Sequence, residues 1–278
     1  MESGVRPLSS TVADIADRSL PPSVLEHLGL WFVRDLSGSS EGQTLLVEDD
    51  EGERAVLKTQ DWPLDMLVRS LRAYADLGVP CPTVIDSGTE PTHWVIMTWE
   101  TGQRPTVADA RARLPDAMKL LARMHQASPI HQDEEWLRGY LADELYVYTH
   151  DHDREPETFP LHPETIAREL SFSRPVQLHG DWHPVNTLLN VDCGWVALDP
   201  IGFLGPAEYD AAAWCVRGCG DPSGLLARLQ QAITAYPALD KRQLALWAAW
   251  DCFGRARSSR GNSPKRWRRM ALRLSAQI

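Results

Sequence analysis

The run Leu178-His179-Gly180-Asp181-Trp182-His183-Pro184-Val185-Asn186 places a carboxylate five residues before a side-chain amide. Moving a phosphoryl group to a hydroxyl needs an acid beside the attacking oxygen and oxygen ligands for the magnesium that travels with a nucleoside triphosphate. Asp181 and Asn186 offer one of each. A second metal-binding carboxylate follows in Asp199, at the end of the apolar run Trp195-Val196-Ala197-Leu198. Magnesium is a hard cation and prefers such oxygens. The same stretch admits another chemistry. His179, Asp181 and His183 with Asp199 have the ligand types for zinc and metal-assisted hydrolysis, a reading that leaves Asn186 and the amino-terminal half without a role. Taken singly, His, Gly, Asp and Asn are ordinary turn formers. The ordered spacing of loop, flanking strands and second acid is what points to chemistry.

The elements that must position these residues can be read from periodicity. Strands are predicted at 30–36 and 43–47 around the turn Ser37-Gly38-Ser39-Ser40-Glu41-Gly42, and at 54–58 after a charged turn. Alternation puts Val56 and Lys58 on one face of the third strand. Leu64, Leu67, Val68, Leu71, Tyr74 and Ala75 recur at helical spacing and predict a helix over 62–77. A turn and strand at 80–88 and a hairpin partner at 93–100 run into Thr101-Gly102, beyond which the composition turns helical. The boundary between a small lobe, 1–102, and a large one, 103–278, is placed there. Helices are expected over 106–127, 133–148, 163–172, 208–214, 223–236, 240–257 and 264–274. A hairpin of 187–191 and 195–198 would set Asn186 and Asp199 at neighbouring ends. His125 is expected to be buried and hydrogen-bonded, and the cluster from His150 to Glu155, though it has metal-ligand types, reads as a solvated polar loop.

A chain of 278 residues is long enough for one large or two modest domains. Its 28 basic and 38 acidic residues give a formal charge of −10, which argues against general binding to nucleic acid or anionic membrane and suits a cationic partner. The five cysteines have no paired spacing, so no disulfide framework is expected. Residues 1–20 lack an apolar core of signal-peptide length, and no run of about 18 apolar residues occurs. A cytoplasmic location is the expectation.

Asp181, Asn186 and Asp199 together resemble the catalytic loop and metal-binding acid of the aminoglycoside phosphotransferase family, distant relatives of the protein kinases. The wording around them is most similar to the streptomycin 6-phosphotransferase and hydroxyurea phosphotransferase branch. It comprises Leu178-His179-Gly180-Asp181, Asn186-Thr187-Leu188-Leu189, Asp199-Pro200-Ile201-Gly202 and Tyr209-Asp210. Pro184-Val185 stands where branch members usually carry a second His, or a His and Gly. The resemblance implies an α+β, protein-kinase-like two-lobed fold, with a small lobe of five antiparallel strands and a large, mainly helical lobe. It implies that Asp181 orients the acceptor hydroxyl and takes its proton, that Asn186 and Asp199 hold Mg2+, and that Lys58 clamps the phosphates of ATP or GTP. Backbone amides of Ser39 and Ser40 would cover those phosphates. Val56 would line the purine pocket and Met97 sit behind the base, with the Thr98 carbonyl and Glu100 amide at its edge. The helix Glu that pairs with such a lysine is missing, since no Glu occurs between Glu53 and Glu90, and Asp65 or Asp61 stands in.

For the acceptor, the resemblance and the net charge together suggest a cationic hydroxylated small molecule, an aminoglycoside such as streptomycin, and hence antibiotic resistance. Asp143, Glu144, Asp210, Trp247 and Asp251 are the candidate substrate residues, Asp210 also matching an acid that supports the catalytic loop. The missing helix Glu keeps a different class open, a kinase-like module that holds nucleotide without chemistry.

Overall fold

A computed structural model of the chain describes residues 22–36, 42–130, 135–150, 163–218, 220–258 and 263–275. The chain forms two compact units, one of Met1–Val68 with Thr83–Trp99 and the other of Arg69–Pro82 with Glu100–Ile278.

The first unit is built on strands Trp31–Asp35 (β1), Gln43–Glu48 (β2), Arg54–Gln60 (β3), Val84–Gly88 (β4) and His93–Thr98 (β5). They form one antiparallel sheet in the order β1-β2-β3-β5-β4. Branched and aromatic residues dominate these segments, as a pleated and half-buried surface favours. One face of the sheet closes against the short helix Pro22–Leu28 (α1), and Val24, Leu45, Val47, Leu57, Trp94 and Ile96 make the core between them. A fully buried side chain such as Leu57 contributes roughly 1.5–3 kcal/mol. Along β3 the alternation is regular, with Ala55, Leu57 and Thr59 buried while Val56, Lys58 and Gln60 share the more open face. Register sets Lys58 opposite Thr44 and Val95, and Val56 opposite Leu46 and Met97.

Helix Asp65–Asp76 (α2) begins in the first unit and ends in the second. Its predicted apolar stripe is buried at Leu67, Val68, Leu71 and Tyr74.

The second unit is mainly helical: Val107–Ala112 (α3), Leu114–Met124 (α4), Glu135–His150 (α5), Pro163–Glu169 (α6), Ala207–Arg217 (α7), Leu225–Ala235 (α8), Lys241–Ser258 (α9) and Ser263–Ser275 (α10). Two small antiparallel pairs interrupt them, Val176–Gln177 (β6) with Leu204–Gly205, and Thr187–Asn190 (β7) with Gly194–Ala197 (β8). The single helix predicted over 106–127 is in fact two. A capping box between Thr106 and Asp109 starts α3, the backbone leaves helical geometry at Arg113, and Pro115 falls in the first turn of α4. Proline has no N–H to continue a helical ladder but suits a first turn, so the sequence restarts there. Helix α7 is buried on every side from Glu208 to Val216, which makes it the central rod of this unit. Helix α9 packs against α6, α7, α8 and α10. No helix among the described residues is long and apolar enough to cross a membrane.

Candidate active site

The candidate catalytic loop, residues 178–186, lies between β6 and β7, and its backbone is held from two sides. Leu178 N–H donates to the Phe203 carbonyl at 2.9 Å and Ile201 N–H to the His179 carbonyl at 2.8 Å. On the other side, Asp210 in the first turn of α7 accepts from the His179 N–H at 2.8 Å and the Gly180 N–H at 3.0 Å. Its carboxylate also meets His125 Nε2 at 3.1 Å, and His125 Nδ1 lies 3.3 Å from the Tyr236 hydroxyl. His125 is therefore buried and hydrogen-bonded, as expected. Asp210, named above as a substrate candidate too, has no solvent exposure and is turned wholly to the loop and His125, so it is a support for the loop and not a cleft carboxylate.

Packing adds to this frame. The Trp182 ring, at 0% exposure, stacks on Trp214 of α7 with centroids 4.9 Å apart, and Trp195 of β8 meets Trp214 edge-on at 5.0 Å. Gly180 sits at φ +88°, and a Cβ there would come within 2.5 Å of the Phe203 ring. Gly180→Ala should therefore destabilise the protein by about 1–3 kcal/mol through strain alone. A thermal melt checks this, and an unchanged midpoint would show that the loop re-forms without its glycine.

Both histidines of the loop have their ring nitrogens engaged. His179 Nε2–H donates to the Leu198 carbonyl at 2.9 Å and Nδ1 accepts the Asp181 N–H at 3.4 Å. Burial, the largest influence, pushes the His179 pKa down and keeps the ring neutral. His183 Nδ1 accepts the Val185 N–H at 3.2 Å, which leaves its Nε2–H to donate to Asp181 Oδ2 at 3.2 Å. A zinc site needs free imidazole nitrogens, and these four are committed within the loop. Among the described residues no group of three or more His, Cys, Asp or Glu is arranged to hold a metal.

Asp181 is saturated on one side. Oδ2 accepts from Asn186 Nδ2 at 2.7 Å as well as from His183, and Oδ1 accepts from Arg217 Nη1 at 3.0 Å. Burial by itself raises this carboxyl, but the His183 hydrogen bond and the Arg217 guanidinium outweigh it and the pKa falls to about 2. Asp181 is thus a carboxylate at any working pH. Asn186 spends its amide hydrogens on Asp181, the second going to the Asp181 carbonyl at 3.0 Å, so its own side-chain oxygen is left for a cation. Its backbone carbonyl accepts from the Leu198 N–H at 2.9 Å, which brings Asn186 beside the residue that follows, Asp199. Asp199 is exposed and stands at φ +54°, a left-handed conformation unusual for a residue with a side chain. One amide oxygen and one carboxylate fit Mg2+, which takes few protein ligands and completes its shell with phosphates and water.

Arg217 was not legible as a site residue, because an arginine in a helix's last turn has an ordinary dipolar explanation. Besides Asp181 it donates from Nε to Asp251 Oδ1 at 2.9 Å. Asp251 and Glu144, expected at the acceptor cleft, are thus engaged within the protein: Glu144 accepts from Tyr140 OH at 2.9 Å and Trp250 Nε1 at 2.7 Å. Both line a small cavity shared with Trp247, which is itself buried, and with Arg217. Asp143 is exposed on α5. A second, wider cleft is lined by Arg217 as well, together with Arg104, Val107, His183 and Val185.

In the first unit, Lys58 and Val56 share the open face of β3, and Met97 beside Val56 is buried at 7% exposure. Thr98 closes β5 by exchanging bonds with Thr83, its N–H to the Thr83 carbonyl and its Oγ1 from the Thr83 N–H, both at 2.9 Å. Glu100 is half-buried at the start of the second unit's main segment. Ser39 and Ser40 lie outside the described residues.

Residues 33–247 match the phosphotransferase enzyme family, APH. The chain belongs to that family. Solved structures agree with this membership in fold. Aminoglycoside-3′-phosphotransferase of type VIII is similar with a TM-score of 0.58 and 18% identity, over 82% of this chain and 97% of that one. A choline kinase from Cryptosporidium parvum gives 0.57 and 10%, over 90% and 89%. An amicoumacin kinase, solved in complex with AMP-PNP, Ca2+ and Ami, gives 0.60 and 12%, over 96% and 97%. At such identities the likeness is one of fold: the family's kinase-like α+β architecture, an antiparallel-sheet unit and a helical unit, as the sequence implied. No curated protein matches by sequence.

Proposed function

We propose that the chain is a small-molecule kinase that moves the γ-phosphoryl group of ATP or GTP, carried with Mg2+, onto an alcohol hydroxyl. The observation that carries this reading is the Asp181–Asn186 pair, in which the amide orients the carboxylate and keeps its own oxygen for a cation. In the transfer the acceptor oxygen bonds to the γ-phosphorus. The bond from that phosphorus to the β–γ bridging oxygen breaks, its electron pair staying on the nucleoside diphosphate, and the hydroxyl proton goes to Asp181. Asp181 holds the hydroxyl by a hydrogen bond beforehand, so most of its effect is orientation. Asn186 and Asp199 would hold the magnesium, whose chemistry is to neutralise charge on the phosphates. Lys58 would clamp the α and β phosphates and Ser39 and Ser40 cover them, with Val56, Met97, Thr98 and Glu100 around the base. The amicoumacin kinase, holding a nucleotide analogue and a divalent cation on a similar fold, supports this assignment of ligands.

The acceptor we propose to test first is a cationic aminoglycoside, streptomycin before others, with resistance as the biological outcome and the cytoplasm as the compartment. Three things support it: the motif wording, the formal charge of −10, and the aminoglycoside phosphotransferase among the fold neighbours. The test incubates the chain with ATP or GTP, Mg2+ and a panel of streptomycin, other aminoglycosides, a macrolide and choline, and reads mass gain by one phosphoryl group. Acceptor-dependent gain is the expected result. Nucleotide binding with no acceptor modified would favour the non-catalytic module, and activity lost to a zinc chelator and restored by zinc would favour the hydrolase.

A further inference from the structure

The donors on Asp181 are unevenly shared between its two oxygens. A carboxylate oxygen has two lone pairs. Among the described residues, those of Oδ2 are filled by Asn186 and His183, whereas Oδ1 accepts from Arg217 alone. Arg217 in turn is held at its other edge by Asp251 of α9, whose side chain is 14% exposed and whose second oxygen is buried with no hydrogen-bond partner among the described residues. The guanidinium is a rigid planar fork, so fixing Nε also fixes the direction in which Nη1 addresses Asp181.

We infer that Arg217 is a positioning residue for the transfer, anchored by Asp251, and that Oδ1 of Asp181 is the atom that meets the acceptor hydroxyl. This rests on the role proposed for Asp181. Arg217 occupies one lone pair of Oδ1 and thereby turns the remaining one to the acceptor. Asp251 then acts on the reaction through Arg217 and not by touching a substrate cation, which separates it from the role its sequence neighbourhood suggested.

Steady-state transfer by Arg217→Gln, Arg217→Lys, Asp251→Asn and the double variant Arg217→Gln/Asp251→Asn tests the inference, with a thermal melt of each variant to confirm folding. Misplacing a reacting group costs up to about a hundredfold, so Arg217→Gln should lower kcat by roughly tenfold to a hundredfold, with both KM values within about threefold. Asp251→Asn should lower kcat in the same sense but less. The double variant should be no worse than Arg217→Gln, because Asp251 has no path to the reaction except through Arg217. Lysine reaches one carboxylate but not both, so Arg217→Lys should fall between. If Arg217→Gln does not fold, Arg217→Lys and Asp251→Asn carry the test.

Three outcomes overturn the inference: kcat retained in Arg217→Gln, losses that multiply in the double variant, or an Asp251→Asn effect confined to the acceptor KM. In each of these the unaltered chain is active and the kinase reading stands. An unaltered chain that modifies no acceptor overturns the kinase reading itself.

Discussion

Asp181→Asn is expected to lower phosphoryl transfer by about 10²–10⁴-fold, the range over which a positioned proton acceptor acts. The substitution keeps the shape of the side chain and removes its charge, and the surroundings make that change severe. Among the described residues each hydrogen-bond partner of this carboxylate is a donor: Asn186, His183 and Arg217 all present N–H groups to it. An amide has only one acceptor oxygen, so at least one of these donors must face an NH2 group and lose its bond, at roughly 1–3 kcal/mol of stability. Nucleotide affinity should change little, because the proposed contacts of Asp181 are with the acceptor. Single-turnover transfer alongside calorimetric nucleotide binding separates the two quantities. Transfer within a few-fold of the unaltered chain would remove Asp181 from the reaction.

Asp199→Asn should show a different pattern. Asparagine is among the few residues that tolerate a left-handed backbone, so the φ of +54° can be kept and the melting temperature should scarcely move. The carboxylate is lost all the same, and with it one hard oxygen ligand bearing a full charge. Stabilisation of phosphate charge by a bound metal amounts to several kcal/mol, so transfer should fall by at least about 10²-fold. Unlike the Asp181 variant, this one should also weaken Mg2+-dependent nucleotide binding, a readout independent of turnover. Asp199→Gly is the companion control. It relieves the backbone, so its melt should be equal or higher while transfer is lost. Magnesium-dependent binding that survives both changes would exclude Asp199 as a ligand.

How much of this was open to reading depended on whether a residue's role is written locally. Strand β3 was legible because Ala55, Leu57 and Thr59 alternate with Val56 and Lys58, and a half-buried strand allows few other patterns. The nearness of Asn186 to Asp199 was legible because it follows from spacing along one loop and its hairpin, and the roles proposed for them and for Asp181 rest on the same spacing. The break at Arg113 was hidden, since the apolar residues keep helical period across it and only Pro115 marks the restart. The commitments of Glu144 and Asp251 were hidden for a deeper reason. Each carboxylate is answered by a partner on its own or another helix, Tyr140 and Trp250 for one and Arg217 for the other, and a pairing across helices leaves no trace in the neighbouring sequence. An acid in an apolar run announces a purpose but not its partner.

Asp210 and Arg217 stand seven residues apart on α7, about two helical turns, and grip successive residues of the same short loop: the His179 and Gly180 amides in one case, the Asp181 carboxylate in the other. The helix therefore works as a gauge of fixed length. Inserting or deleting one residue between the two grips would rotate the far end by roughly 100° and shift it by about 1.5 Å, so one grip is lost whichever end stays in place. Volume-conserving substitutions between the two gripping residues leave both grips intact, but a change of the helix's length does not. The segment from 210 to 217 should accept no indels in any functional variant of this chain.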